Sequence, residues 1–383
     1  ALIIQEKAMI VGYDAKRIVR NGTGLGSYGR TLVNSLSENQ HLKMRLYAPD
    51  KGRDDFRQQI ILRPNINFIY PDFLRFRFQR DLWRTRGIVK QLRQDGVQLY
   101  HGLSGELPLG LKAAGIPGIV TIHDLIFLRH PEYYHWLDVQ IYRWKFLHTL
   151  HEAERIIAIS ECTKRDILAY GDFPEDKIDV IYQSCSLRFC NEASCSDKER
   201  IQKKYNLPTR YILNVGSIEM RKNMLLVVKA LQHLPTDISL VLIGRHTPYT
   251  DKILEYVHTH KLEQRVIILH GIPDEDLPAI YQQADVFVYP SRYEGFGIPI
   301  IEAIQSGLPV VACTGSCLEE AGGPDCLYVD PDDVAEMAAA ILKSSEEKKW
   351  RVMKSREYIR RFENRDLASL VIREYEKTVS NKK

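Results

Sequence analysis

The sequence lacks the long apolar runs that membrane-spanning helices need. No hydrophobic stretch in its 383 residues approaches the roughly 18 residues of a transmembrane span. Charged residues make up 27% of the chain and hydrophobic residues 44%, which is ordinary for a globular protein. Because this length is enough for two hydrophobic cores, we expect two globular domains.

Cysteine is also scarce, and its seven copies fit no disulfide framework or zinc spacing. An odd number of thiols favours a reducing compartment, so we expect a cytoplasmic protein. The net charge is only +4, and no nucleic-acid recognition module is visible. We therefore expect no nucleic-acid partner and no cysteine metal site.

Short apolar runs alternate with helical patterns along both halves of the chain, which predicts an α/β fold with parallel sheets covered by helices. The polar segment 188–204 is predicted to link a first domain, residues 1–187, to a second, residues 205–361. The predicted strands are residues 8–14, 44–47, 66–70, 97–100, 119–122, 155–159 and 178–182 in the first domain, and 211–216, 239–243, 266–269, 286–289, 309–312 and 327–329 in the second.

Residues 291–307 form the most informative stretch, because they join two predicted strands through a loop and a short helix. Pro299 suits the start of that helix and Gly307 its end. Glu294 precedes the helix, and Glu302 is expected in its first turn. A helix N-terminus attracts phosphate, and the two carboxylates can accept hydrogen bonds from ligand hydroxyls. The structural alternative is a glutamate that favours the helix dipole and glycines that only form the turn.

Three more residues lie at predicted strand ends, where α/β proteins bind ligands. Arg221 and Lys222 follow the strand 211–216, and both can pair with phosphate oxygens, although surface cations are usually only solvated. His123 follows the strand 119–122, and a lone histidine is more often structural than functional.

Residues 294–299, followed by Glu302 and Ala303, resemble the signature of the retaining family-4 (group 1) glycosyltransferases. The resemblance covers most of the chain. It implies the GT-B fold, in which two doubly wound Rossmann-like domains face a cleft and the last helix, about residues 362–383, crosses back to the first domain. The second domain would bind a nucleotide sugar, and the first a saccharide or lipid-linked acceptor.

The resemblance also implies a role for each candidate site residue. Glu294 would touch hydroxyls of the donor sugar, Glu302 the ribose, and the cation pair the diphosphate. The implied catalytic residues are His123, Arg221, Lys222 and Glu294. The implied donor-binding residues are Gly24, Gly26, Gly216, Arg221, Lys222, Gly244, Arg245, Gly271, Ile272, Glu294, Gly295, Phe296, Gly297, Ile298 and Glu302.

Gly24, Gly26 and Gly29 lie in residues 21–30, which are predicted to form a loop before a helix at 31–37. They formally match the dinucleotide fingerprint, but they do not follow the strand directly and no acidic residue lies about twenty positions later. The loop is either a flexible helix start or, as the resemblance implies, a loop that faces the donor phosphates.

The expected activity is therefore transfer of a hexose with retention of configuration, in polysaccharide or glycolipid synthesis. GDP-mannose is the first candidate donor, because residues 14–30 resemble bacterial mannosyltransferases. The alternatives are a UDP-sugar transferase, a sugar-nucleotide epimerase of the same fold, or a non-enzymatic basic binding protein. We expect no cofactor and no metal, since the family works without one; Asp330 and Asp332 are interpreted as a strand end and helix cap.

Two further stretches are rich in aromatic residues. Phe73–Arg93 carries seven cations and one acid, Asp81, among its aromatics. One interpretation is a solvated helix whose apolar stripe faces the core. The other is a surface that contacts the inner face of an anionic membrane or an anionic acceptor. Residues 133–150 fit either core packing or a wall of the acceptor pocket.

Overall fold

The computed structural model describes residues 8–71, 76–363 and 366–380. The chain divides into two compact units, residues 1–183 with 364–383 (unit 1) and residues 184–363 (unit 2). Each unit is a parallel sheet with helices, which confirms the predicted α/β fold with two Rossmann-like parts. No helix in the described ranges is both long and apolar enough to cross a bilayer.

Unit 1 is built on a seven-stranded sheet of order β3-β2-β1-β4-β5-β6-β7, in which all paired strands are parallel. Its strands are β1 (Met9–Asp14), β2 (Leu42–Tyr47), β3 (Ile66–Ile69), β4 (Leu99–Gly102), β5 (Gly118–Ile122), β6 (Ala153–Ala158) and β7 (Ile178–Val180). Its first eight helices are α1 (Lys16–Arg20), α2 (Gly24–Leu36), α3 (Asp54–Arg57), α4 (Arg77–Leu82), α5 (Ile88–Gln94), α6 (Ile126–Arg129), α7 (Trp136–Glu152) and α8 (Glu161–Tyr170), with a π-helical turn, Trp83–Gly87, between α4 and α5. As predicted, Ser160 caps α8, since its hydroxyl accepts from the Thr163 N–H at 2.9 Å.

Unit 2 is built on a six-stranded parallel sheet of order β10-β9-β8-β11-β12-β13. Its strands are β8 (Tyr211–Val215), β9 (Ser239–Ile243), β10 (Val266–Leu269), β11 (Val286–Tyr289), β12 (Val310–Cys313) and β13 (Leu327–Val329). Its helices are α9 (Cys195–Tyr205), α10 (Met224–Ala230), α11 (Pro248–Thr259), α12 (Leu277–Gln283), α13 (Ile298–Gln305), α14 (Leu318–Gly322), α15 (Val334–Glu346) and α16 (Lys348–Ile359).

The last helix, α17 (Leu367–Ser380), belongs to unit 1, as the fold prediction implied. Buried Val371 and Tyr375 join the core of that unit. Glu374 accepts from Arg155 of β6 at 2.8 Å, and the Tyr375 hydroxyl lies 2.7 Å from His101 Nδ1 of β4. A second ion pair joins Lys377 of the helix to Asp179 of β7 at 3.4 Å. The helix is thus held by apolar burial, two ion pairs and one buried polar contact.

The polar segment 188–204 is not a free linker, and the boundary between the units lies at residues 183 and 184. Most of the segment forms α9, which Ser194 caps by accepting from the Asp197 N–H at 3.1 Å. Lys204 and Tyr205 bond to Asp276 of unit 2, and one apolar residue of α9 is fully buried. The prediction was wrong because a capped amphipathic helix can be polar on most of its surface.

The glycine-rich residues 21–30 also differ from their prediction, because α2 begins at Gly24. The Asn21 side chain accepts from the Thr23 N–H at 2.8 Å and from the Gly26 N–H at 3.3 Å, which stabilises the first turn. A Cβ at Gly26 would lie 1.9 Å from the Asn21 carbonyl oxygen. Glycine is therefore needed at position 26 for packing, whatever else it does.

Candidate active site

The predicted donor-site residues of unit 2 lie at the carboxyl ends of its central strands. The strand order reverses between β8 and β11, which is where open α/β sheets bind ligands. Arg221 and Lys222 follow β8, and Glu294 follows β11, so the two segments flank this switch point. The sheet topology brings together residues that are more than seventy positions apart in sequence.

Arg221, Lys222 and Glu294 form one charge cluster, with side chains 14%, 11% and 12% exposed. Arg221 Nη1 lies 3.0 Å from Glu294 Oε1, and Lys222 Nζ donates to the same oxygen. Burial alone would raise the pKa of Glu294, but Lys222 and Arg221 lower it to about 2. Burial likewise opposes the charge on Lys222, but Glu294 raises its pKa above the ordinary value. The three buried side chains carry a net charge of +1, which suits an anionic ligand, and the more exposed Glu219 lies 3.9 Å from Arg221 at their edge.

Both cations are positioned by backbone and aromatic contacts that the sequence did not predict. The Arg221 carbonyl accepts from the Arg292 N–H at 2.9 Å, which ties the two loops together. Lys222 donates to the Tyr289 hydroxyl at 2.8 Å. The next residue, Asn223, adopts a left-handed backbone and donates to the Pro331 carbonyl at 2.8 Å. The cation pair is therefore held in place before any ligand arrives.

The loop after Glu294 leads into α13, which begins at Ile298 with Pro299 near its start and a positive φ at Gly307 after its end. Cys317 Sγ lies 3.1 Å from the Glu294 carbonyl oxygen. Phe296, predicted to bind the donor, is buried and packs edge-on against Phe362, with ring centroids 5.3 Å apart. Its ring therefore anchors the loop, and only its backbone remains a candidate ligand group.

Glu302 lies in the second turn of α13, not in the first as predicted, because the helix begins four residues before it. Its Oε2 accepts from the Tyr281 hydroxyl at 3.1 Å. Burial raises the pKa of Glu302 to about 7, although the Tyr281 hydrogen bond opposes that shift. This carboxyl is thus poised to titrate near neutral pH.

The other predicted donor residues of unit 2 lie at neighbouring strand ends. Gly216, Gly244 and Gly271 follow β8, β9 and β10, respectively. A Cβ at Gly244 would lie 2.0 Å from the Gly216 carbonyl oxygen, so these two backbones approach too closely for a side chain. Arg245 is exposed and Ile272 is half-buried beside them.

In unit 1, His123 follows β5 and both of its ring nitrogens are engaged. Nε2 donates to the Leu103 carbonyl at 2.9 Å, and Nδ1 accepts from the Gln183 amide at 3.3 Å. The Tyr28 ring meets the imidazole edge-on, with centroids 4.8 Å apart. Burial lowers the pKa of His123 to about 4, so the ring is neutral at physiological pH. The neutral imidazole carries no charge for a phosphate, and both of its nitrogens already have partners within unit 1.

A second, partly buried charge cluster, which sequence reasoning missed, lies at the switch point of unit 1 between β1 and β4. Arg84 pairs with Asp14 at 2.5 Å and with Glu106 at 2.6 Å, and Lys145 pairs with Glu106 at 3.1 Å. In the sequence only Asp14, at the end of a strand, pointed to this cluster, because its three partners come from three other segments.

Asp330 and Asp332, the formal Asp-x-Asp pair, do not form a cluster of metal ligands. Asp332 pairs with Arg292, and Asp330 accepts from the Asp332 N–H at 2.8 Å. The cap of α15 is Asp333, which accepts from the Glu336 N–H at 2.8 Å. Among the described residues, no three histidine, cysteine or acidic side chains are grouped so that they could bind a metal.

Two family descriptions match this chain in the regions that carry the two switch points. The description "Glycosyltransferase Family 4" matches residues 22–187, and "Glycosyl transferases group 1" matches residues 196–362. The chain belongs to the group 1 glycosyltransferases. The predicted family and its enzyme class are confirmed, and a non-enzymatic binding protein is no longer a competing interpretation.

Known proteins place this glycosyltransferase near enzymes of polysaccharide synthesis. It is 35% identical over 259 residues to the O-antigen chain mannosyltransferase B of Escherichia coli, covering 66% of each chain. A second mannosyltransferase relative is matched over only 32% of its own length. The alignments thus span about two thirds of the first relative and about one third of the second.

Solved structures share the fold at lower identity. The sucrose-phosphate synthase of Thermosynechococcus elongatus superposes with a TM-score of 0.78 and 19% identity, covering 98% of this chain and 100% of that one. Anabaena HepE, solved with UDP and glucose, superposes with a TM-score of 0.72 and 16% identity, covering 96% and 99%.

Proposed function

We propose that this glycosyltransferase moves a mannosyl group from GDP-mannose to a hydroxyl of a saccharide acceptor during polysaccharide synthesis. The observation that carries the proposal is the buried cluster of Arg221, Lys222 and Glu294 at the switch point of unit 2. Its net positive charge suits a diphosphate, and its carboxylate suits sugar hydroxyls. The mannosyltransferase relatives support the choice of sugar.

The chemistry we propose retains the anomeric configuration. The bond between the anomeric carbon and the diphosphate oxygen breaks, and the acceptor oxygen bonds to the same face of that carbon. The acceptor hydroxyl gives its proton to the leaving diphosphate. Arg221, Lys222 and the N-terminus of α13 stabilise the charge that develops on this leaving group, while Glu294 holds sugar hydroxyls.

A ligand screen tests the donor assignment. GDP, UDP, ADP and their sugars would be compared by thermal shift, since a ligand at 100 times its dissociation constant stabilises the fold by about 2.7 kcal/mol. We expect the largest shift with GDP-mannose and transfer of mannose to an oligosaccharide acceptor. A larger shift with a UDP-sugar would mean that this sugar nucleotide, and not GDP-mannose, is the donor. Conversion of the sugar without transfer would indicate an epimerase.

Activity should survive treatment with EDTA, because Arg221, Lys222 and a helix N-terminus supply the charge that a divalent cation otherwise provides. Initial rates before and after chelation would be measured, with added Mg²⁺ and Mn²⁺ as the comparison. Two results together would contradict this assignment: a strict requirement for the metal, and loss of the metal-dependent activity in Asp332→Asn. They would restore the aspartate pair as metal ligands.

Nucleotide binding should strengthen as pH rises through 7, because Glu302 must be ionised to accept both ribose hydroxyls. Its pKa of about 7 predicts that affinity for GDP rises by about tenfold from pH 6 to pH 8. The affinity would be measured by calorimetry. Glu302→Gln supplies the control, since any pH dependence of GDP affinity that remains in this variant comes from the phosphate itself. An equal pH dependence in both proteins would contradict ribose binding by ionised Glu302.

We also propose that Phe73–Arg93 contacts anionic lipid headgroups or a lipid-linked acceptor. Phe73 and Arg75 lie outside the described residues. Within the described part, Phe76 and Phe78 are exposed with their rings stacked 6.0 Å apart, while Ile88 is buried in the core. Buried Ile88 fits a helix with a core-facing stripe, and the exposed aromatic pair fits a peripheral contact, so each interpretation has support in a different part of the stretch.

A further inference from the structure

Helix α7 is apolar on two opposite faces. One face is buried in unit 1 and includes Val139, Phe146 and Leu150. On the opposite side five large apolar side chains are 45% to 66% exposed: Trp136, Leu137, Ile141, Trp144 and Leu147. At 100° per residue they span an arc of about 140°, in which Gln140, His148 and His151 also lie. We call these five residues the outer face of α7. A monomeric protein rarely leaves such a patch uncovered.

Cations lie on α7 and on the helical segment 77–94. Arg143 is exposed and Lys145 half-buried on α7 itself, and Arg86, Lys90 and Arg93 are exposed on the neighbouring helical segment 77–94. Exposed acids on the described side chains of the two segments are only Asp81, which pairs with Lys16, and Asp138.

The two segments adjoin in the fold. Glu106 bridges them, because it pairs with Arg84 of the π-helical turn and with Lys145 of α7. Thr85 and Trp144 line the same crevice, and the Thr85 carbonyl accepts from the Leu109 N–H at 2.7 Å. Trp144 and Lys145 of α7 therefore lie beside the π-helical turn that carries Arg84 and Arg86.

We propose that the outer face of α7 inserts into the headgroup region of an anionic bilayer. An aromatic and aliphatic helix face with flanking cations is the pattern of helices that lie in the membrane interface, where tryptophan is favoured. The flanking cations add attraction to anionic lipid. This inference extends the proposed contact of Phe73–Arg93 from electrostatic attraction to apolar insertion.

Charge decides against a second copy of the chain as the occupant. In a two-fold symmetric dimer each outer face would meet its own copy, and the cations that flank it would be brought together. Like charges that face one another across an interface are unfavourable. An anionic bilayer instead satisfies the apolar and the cationic parts of the surface together.

Vesicle co-sedimentation of the full chain tests the proposal without donor or acceptor. Vesicles of phosphatidylcholine with about 30% phosphatidylglycerol would be compared with phosphatidylcholine alone. The test variant is Trp136→Ser, Leu137→Ser, Ile141→Ser, which changes only exposed side chains and leaves Trp144 as a fluorescence reporter. We expect the wild type to bind anionic vesicles with a blue shift of its emission, and the triple variant to bind at least about tenfold more weakly.

The matched control is Trp350→Ser, Met353→Ser, two exposed apolar residues of α16 in unit 2. It should bind like the wild type, and circular dichroism should show that all variants are folded. The proposal is overturned if the wild type ignores anionic vesicles at low salt or if the triple variant binds equally well. It is also overturned if the wild type self-associates without lipid and the triple variant does not. None of these outcomes depends on turnover, so a failure here leaves the transferase proposal intact.

Discussion

Replacing Arg221 or Lys222 with alanine should lower kcat by at least about a hundredfold, which corresponds to about 2.7 kcal/mol of lost transition-state stabilisation. Each cation lies at the proposed leaving-group site, where charge develops on the diphosphate as its bond to the sugar breaks. Because Glu294 pairs with both cations, each single variant keeps one partner for this buried carboxylate. Steady-state kinetics with saturating donor and acceptor would measure the effect.

The control for these two variants is Lys252→Ala, which removes an exposed cation of α11 outside the cluster. It should leave kcat unchanged, and thermal melts should show that all three variants remain folded. Near-normal rates in both Arg221→Ala and Lys222→Ala would mean that the diphosphate binds elsewhere in the protein.

Glu294→Ala should remove most turnover while leaving the affinity for a nucleoside diphosphate largely intact. The carboxylate is assigned to the donor sugar, so a ligand without the sugar does not need it. Its loss also leaves Arg221 and Lys222 buried without their shared anion, which typically costs about 3–5 kcal/mol when one partner of a buried pair is removed. We therefore expect a lower melting temperature, which GDP should raise by about as much as it raises that of the wild type, because the two affinities are expected to be similar.

Glu294→Gln separates the charge effect from the cavity, because it keeps the volume of the side chain. Calorimetry on both variants would give their affinities for GDP, and kinetics would give kcat. The matched control is Glu255→Gln, which changes an exposed carboxylate of α11. Parallel losses of GDP affinity and of kcat would contradict a role for Glu294 at the sugar.

The sequence predicted the main features of the site because strand ends can be located from apolar runs. The predicted strands 211–216 and 286–289 match β8 and β11 to within one residue, so Arg221, Lys222 and Glu294 could be placed at one sheet edge. Their pairing could not be predicted, since it depends on Tyr289 and on the tie between the Arg221 and Arg292 backbones.

Other features could not be predicted because composition does not reveal side-chain direction. The glycines at 24 and 26 argue against a helix by propensity, yet the Asn21 side chain and close backbone packing start α2 there. Residues 133–150 were expected either to pack in the core or to line a pocket. Helix α7 packs with one face and leaves the other exposed, and a helix that is apolar on both sides gives no periodic signal.

The place of α17 has a consequence for the order in which the protein can fold during synthesis. Unit 2 is one continuous segment, so all of its strands have been made before the last helix emerges from the ribosome. Unit 1 must wait, because Arg155 lacks its Glu374 partner and the core lacks Val371 and Tyr375 until then. The part of the chain that is made first therefore completes its core after unit 2, and until then it exposes apolar surface that favours aggregation.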